Sequence, residues 1–219
     1  NLGKLTAMMG DRFKAMDFID TSIQIHQEVG DQLGKANSLT QKGINFHFLQ
    51  KKEEAIVCLN QALSIQQTLD NQNGIADVYG TFGLVYDDDV NTAKSLDYYF
   101  KCINIKESLS LNLEEETHLI YAYANLALSY SKQKKIDKFN EYSEIALRRM
   151  NEIGDMANAS IVNMLRAFAN LEQRKYDLTE HYALRSLDLG KKANYDYSIG
   201  YAYYMLGQLQ IQAYKFEDK

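Results

Sequence analysis

Small residues recur along this chain at an almost constant interval, each beside a large apolar residue. They stand at positions 3, 43, 83, 127, 167 and 207, so the successive steps are 40, 40, 44, 40 and 40 residues. Self-similarity at a fixed period of this length is the signature of a repeat architecture. The pattern therefore predicts about six copies of one structural unit.

Further columns repeat in phase with the small residues. In the second copy, Gly43 is followed by the aromatic Phe46 and then by Ala55, Leu59 and Ala62. Spacings of three and four place side chains on one face of a helix. A Gly or Ala lets two helix backbones approach closely, and an aromatic side chain fills the space beside them. Each copy is therefore predicted to be a helix A, a short turn, a helix B and a loop.

Helix-breaking residues separate the predicted units. They are Gly30-Asp31, Asp70 to Gly74, Gly154-Asp155 and Ala193 to Asp196. Four extra residues around Leu111 to Glu116 explain the single step of 44. The predicted repeats are 1–31, 32–71, 72–112, 113–155, 156–195 and a partial 196–219, together forming one domain over 1–219. Proline, the strongest helix breaker, is absent from all 219 residues.

This arrangement resembles the tetratricopeptide repeat, most closely from Gly43 to Ala62. The signature tryptophan and proline of that family are missing. A period of 40 residues is typical of its relatives with longer helices and Gly-Asp loops between repeats. The resemblance implies an all-α, right-handed superhelical solenoid of about 5.5 repeats. It also implies a protein- or peptide-binding scaffold and not an enzyme.

In such arrays the A helices line a concave groove that receives an extended segment or a helix. Projecting the A helices inward gives Ile44, His47, Phe48, Leu84, Tyr121, Leu128, Lys132, Met164, Phe168, Tyr201 and Tyr204. In longer-period relatives, an Asn two residues before the small residue contacts the bound peptide, and Asn125 matches that position. The set is largely apolar, which favours a partner with apolar anchors. A projection shifted by one residue would instead place some of these side chains in the core.

Composition and charge limit the other functions. The chain is 46% hydrophobic and 24% charged, which is ordinary for a folded soluble protein. Its net charge of −5 gives no general attraction to nucleic acid or anionic membrane. Cys58 and Cys102 fit no metal-ligand spacing and are predicted to be core residues. We expect no cofactor, no metal and a cytoplasmic location.

Two further interpretations stay open. Both ends of the sequence fall within a repeat, so we expect it to be a piece of a longer protein. The chain would then be the ligand-sensing regulatory segment of a bacterial signalling protein, such as a sensor kinase or transcription regulator, with its effector domain outside these residues. The other interpretation is a homo-oligomer formed through the uncapped C-terminal face.

Overall fold

The computed structural model describes residues 11–87 and 92–217, with side chains up to residue 211. Within these ranges the regular elements are ten α-helices, so the predicted all-α class is confirmed. The helices are α1 (Arg12–Glu28), α2 (Gln32–Phe48), α3 (Lys52–Thr68), α4 (Gln72–Val85), α5 (Thr92–Glu107), α6 (Leu113–Lys132), α7 (Ile136–Ile153), α8 (Met156–Glu172), α9 (Tyr176–Lys192) and α10 (Asp196–Glu217). The predicted small residue at position 3 lies outside the described residues.

The even-numbered helices are the helices A of the sequence pattern, and the odd-numbered ones are the helices B. The chain forms two compact units, unit 1 over residues 1–125 and unit 2 over 126–219. Within unit 1, each helix packs on the next in the chain from α1 to α5, and α2 also packs on α4. Within unit 2, α8 packs on α7, α9 and α10.

The small-residue column of unit 1 sets how closely its helices approach. A Cβ atom built on Gly43 would lie 2.8 Å from Leu59 Cδ2, and one built on Gly83 would lie 2.6 Å from the Tyr99 ring. Leu59 and Tyr99 are both fully buried. Each glycine of helix A therefore accepts a large side chain from its helix B, because a side chain at that position would occupy the same space.

Unit 2 has a small apolar core shared by three helices. Met164 and Ala167 of α8 pack with Ala183 of α9 and Met205 of α10. Buried hydroxyl groups lie beside this core: Ser186 Oγ donates to the Ser160 carbonyl at 2.9 Å, and Ser160 and Ser198 share a hydrogen bond of 2.9 Å. Small side chains let the helices pack closely, while the hydroxyl groups remain paired.

Asn and Asp residues mark where the helices A begin. Asp31, Asn71 and Asp155 each accept a hydrogen bond from the backbone N–H three residues later, as N-cap residues do. At α6 the cap is a reciprocal pair, in which Asn112 Oδ1 accepts from the Glu115 N–H and Glu115 Oε2 accepts from the Asn112 N–H. The extra residues of this repeat lengthen the helix, since α6 has 20 residues and α4 has 14.

Cys58 and Cys102 are buried and unpaired, as predicted. Burial raises the pKa of the Cys102 thiol to about 12, so this thiol is protonated at neutral pH. None of the described helices is both long and apolar enough to cross a membrane. No group of three His, Cys, Asp or Glu side chains within residues 11–87 and 92–217 is placed to hold a metal ion.

Candidate functional site

A groove of about 850 Å³ runs across α2, α4 and the first part of α6 in unit 1. Its lining repeats from helix to helix with the steps of 40 and 44 residues seen in the sequence. One column holds Asn37, Asp77 and Tyr121, a second holds Gln41, Thr81 and Asn125, and Ile44 and Leu84 stand one turn further along. The groove is therefore mainly polar, with an apolar strip along one side.

Four of the residues projected from the sequence line this groove, namely Ile44, Leu84, Tyr121 and Asn125. His47 and Phe48 are not among its lining. Phe48 is 48% exposed, and the guanidinium carbon of Arg12 lies 3.9 Å from the centroid of its ring. The His47 ring lies against Phe48, with 5.2 Å between centroids. The end of α2 thus carries a small surface aromatic pair outside the groove.

The residues projected from unit 2 fall into three environments. Met164 is only 5% exposed and lies in the core with Met205, so it offers no surface to a partner. Phe168 is half-buried, and its ring centroid lies 6.0 Å from Tyr201 and 6.5 Å from Tyr204, both of which are exposed. In addition, Leu128 is half-buried and Lys132 is exposed. The alternative in which some projected residues are core therefore holds for Met164.

An amide network forms the floor of the groove beside α2. Gln66 reaches in from α3 and is only 1% exposed. Its Nε2 donates to Asn37 Oδ1 at 3.0 Å, and its Oε1 accepts from Asn71 Nδ2 at 2.9 Å. Gly74 leaves the space for this side chain, because a Cβ atom there would overlap the Gln66 amide. Sequence reasoning missed Gln66, although its position exactly one period before Lys106 was a usable signal.

Lys106 occupies the corresponding place in the next repeat and is wholly buried. Its Nζ lies 2.8 Å from Asp77 Oδ1 and donates to Asn73 Oδ1 at 2.6 Å. Two residues of α6 join this cluster: His118 Nδ1 lies 3.0 Å from Asp77 Oδ1, and Glu115 Oε1 accepts from Asn73 Nδ2 at 2.8 Å. A buried ammonium group therefore ties the helix B of this repeat to the groove wall.

The ionisation of Asp77 follows from these partners. Burial alone would raise the pKa of this carboxyl group, but the hydrogen bond and charge of His118 and the charge of Lys106 outweigh it. The pKa of Asp77 consequently lies below its ordinary value of 3.8. At neutral pH the groove wall holds an ionised carboxylate, partly compensated from behind by a buried lysine.

Two amides in the second column have unused hydrogen-bonding capacity. Within the described part of the chain, the half-buried side chains of Gln41 and Asn125 have no hydrogen-bond partner. A side-chain amide offers two N–H donors and one carbonyl acceptor. These two residues can therefore bind both the N–H and the C=O groups of a peptide backbone placed in the groove.

Residues 36–69 match the tetratricopeptide repeat. The match covers most of α2 and all of α3, the stretch in which the sequence columns were clearest. No curated protein matches the sequence.

Several solved structures share the fold. Aspartyl phosphate phosphatase F from Bacillus subtilis is 13% identical, with a TM-score of 0.79 over 93% of this chain and 52% of that one. A Rap protein complexed with Competence and Sporulation Factor is 14% identical, with a TM-score of 0.78 over 96% of this chain and 63% of that one. The type IV pilus biogenesis factor PilW is 18% identical, with a TM-score of 0.60 over 96% of this chain and 90% of that one. The chain thus spans about half to two thirds of the first two proteins.

Proposed function

We propose that this chain, an all-helical protein of the tetratricopeptide-repeat family, binds an extended peptide segment in the groove of unit 1. The observation that carries the proposal is the pair of unpartnered amides, Gln41 on α2 and Asn125 on α6, in one column of a polar groove. Polar side chains left without partners at a groove wall are available to a ligand, and amides suit a peptide backbone. The finer family subtype, with Gly-Asp loops, stays a prediction.

The spacing of the helices fits this type of ligand. Packed helices lie about 8–10 Å apart, and an extended chain advances about 3.3 Å per residue. A peptide crossing the helices therefore presents roughly every third residue to each helix, and about seven residues span α2, α4 and α6. Ile44 and Leu84 lie on the apolar side of the same groove and would contact two side chains of the peptide. This reduces the predicted apolar anchoring to a strip beside a polar backbone-binding column.

The structural comparisons agree with a binding role. One protein of this fold is described as complexed with Competence and Sporulation Factor, which supports the proposal that the fold accommodates a ligand. At 14% identity the likeness extends to the fold alone. The assignment of the groove therefore depends on the side chains of unit 1.

The proposal is tested by probing a heptapeptide array with the labelled chain and then titrating the strongest binders. The double variant Gln41→Ala/Asn125→Ala should bind about tenfold more weakly or worse, because each lost hydrogen bond is worth about 0.5–1.5 kcal/mol. The matched control is Asn60→Ala/Gln61→Ala, which removes two exposed amides of α3 outside the groove. Equal binding by the Gln41→Ala/Asn125→Ala variant and the wild type, with unchanged circular dichroism, would contradict the proposal.

A second proposal keeps the binding role and places it within a larger signalling protein. It is supported by the chain spanning 52% and 63% of two structures of its fold. The reading frame beside this segment in its gene is the test: an effector domain there supports a regulatory segment, and its absence on both sides contradicts one. Self-association is a separate prediction, and light scattering that finds a monomer at micromolar concentration would exclude it.

A further inference from the structure

The groove of unit 1 is electrically asymmetric along its length. Near α2 its polar lining consists of amide and hydroxyl side chains, with His26 at the edge. Toward α6 it contains three carboxylates, those of Asp77, Glu114 and Glu115. No lysine or arginine occurs among the described residues that line it. The two ends of the groove therefore differ in the charge that they offer to a ligand.

The asymmetry arises from one exchange within a repeated framework. Gln66 and Asn37 form a neutral amide pair beside α2. Exactly 40 residues later, Lys106 and Asp77 form an ion pair at the same place in the next repeat. Because Lys106 is wholly buried, its ammonium group compensates Asp77 and cannot reach a ligand. The exchange adds no net charge to the groove.

The remaining negative charge belongs to the first turn of α6. Glu114 is exposed and Glu115 half-buried, and neither forms an ion pair within the described residues. Glu115 accepts hydrogen bonds from Asn73 and from the Asn112 backbone, both of which are neutral. The positive end of the α6 dipole, equivalent to roughly half a charge, offsets only part of two carboxylates. The groove is therefore net negative at this end.

A second feature of the same groove also indicates a missing partner. Tyr99 contributes to the groove lining and is fully buried, and its hydroxyl group has no hydrogen-bond partner within the described residues. The nearby Ser95 hydroxyl instead donates to the Gly83 carbonyl at 2.8 Å. Leaving a buried hydroxyl unpaired costs about 1–3 kcal/mol. A polar ligand that entered the groove would provide the partner that Tyr99 lacks.

We infer that the peptide bound in this groove is cationic and that its positive charge lies at the α6 end, beside Glu114 and Glu115. The inference rests on the proposed function, and it adds the chemistry and the direction of the ligand. The cation is a Lys or Arg side chain or a free N-terminal ammonium group, since all three are attracted by the same carboxylates. Charge complementarity of this kind fixes the register of a ligand and favours correct partners.

The experiment uses matched peptides on the array. Each neutral heptapeptide is made N-acetylated with Lys, Gln or Glu at each position in turn, and the Gln version is also made with a free N-terminus. At low salt we expect the best Lys or free-amine version to bind about five- to tenfold more tightly than its Gln counterpart, and the Glu version to bind more weakly. The preference should fall at 0.5 M NaCl, because salt screens partly exposed charges.

Two variants with the same charge change locate the effect. Glu114→Gln/Glu115→Gln should remove the preference for Lys over Gln, and Gln at residue 115 can still complete the cap of α6. Glu53→Gln/Glu54→Gln neutralises a similar exposed pair in the first turn of α3 and should leave the preference intact. Saturable binding with equal affinity for Lys and Gln versions would overturn the inference alone. Failure of every peptide to bind would overturn the proposed function as well.

Discussion

The buried pair of Lys106 and Asp77 can be tested against its neutral counterpart in the preceding repeat. The change is made as two single variants, Asp77→Asn and Lys106→Gln, and as the double variant that combines them. The double variant recreates the pairing of Gln66 with Asn37, in which the two side chains are joined by a hydrogen bond of 3.0 Å. We expect each single variant to destabilise unit 1 and the double variant to recover part of the loss.

The magnitudes follow from the burial of each partner. Removing one member of a buried ion pair costs about 3–5 kcal/mol. The side chain of Asp77 is 27% exposed, so we lower the expected cost of Asp77→Asn to about 2–3 kcal/mol. Lys106→Gln leaves Asp77 in contact with His118 and partly with water, which reduces the cost to about 1–2 kcal/mol. The double variant should cost about 1–2 kcal/mol, well below the sum of the single variants.

The assay is urea unfolding at pH 7, followed by far-ultraviolet circular dichroism for all four proteins. An unchanged dependence of the free energy of unfolding on urea concentration shows that the same structure is lost in each case. The coupling between the two sites is the cost of the double variant minus the costs of the single variants. Strictly additive costs would refute the reasoning, because they would mean that the two side chains do not stabilise each other.

Three further predictions concern stability. The pKa of Asp77 is lowered on folding, so the stability contributed by its ionised form is present above the ordinary value of 3.8 and lost as the pH falls through the lower folded value; Asp77→Asn should flatten the stability–pH curve measured below pH 5. Gly83→Ala should lower the free energy of unfolding by about 1–2 kcal/mol through the overlap with Tyr99, whereas Gly200→Ala, where a Cβ atom meets nothing within 4 Å, should raise it in the same urea assay. Asp70 has a left-handed backbone with φ of 49°, so Asp70→Gly should raise the thermal midpoint or leave it unchanged, and a clear fall would contradict this account.

Much of the helical framework could be predicted because it depends on local periodicity. Gly43 and Leu59 stand at a spacing that repeats in Gly83 and Tyr99, and both glycines lie against the large side chain of their helix B. Spacings of three and four residues determine which side chains share a helix face, whatever surrounds the helix. The columns of the sequence therefore identify helix contacts without any knowledge of neighbouring repeats.

The polar character of the groove could not be predicted in the same way. Lys106 looks like an ordinary charged residue near a helix end, and its burial depends on Asn73 and Asp77, which lie 33 and 29 positions earlier. The projection of helix A also treated Met164 as a surface residue, although α9 and α10 enclose it. Burial of this kind is set by several helices together, so a one-helix projection cannot distinguish a groove residue from a core residue.

The repeats of unit 1 separate the residues that build the groove from those left to bind a ligand. Gln66 and Lys106 are buried and fully engaged with the groove wall, so changing either one alone disturbs the packing of a helix B. Gln41 and Asn125 lie in the same groove without a partner in the described chain, so the fold does not depend on their hydrogen bonds. Substitution of Gln41 or Asn125 should therefore alter binding with little loss of stability, whereas substitution of Lys106 should reduce stability before any ligand is present.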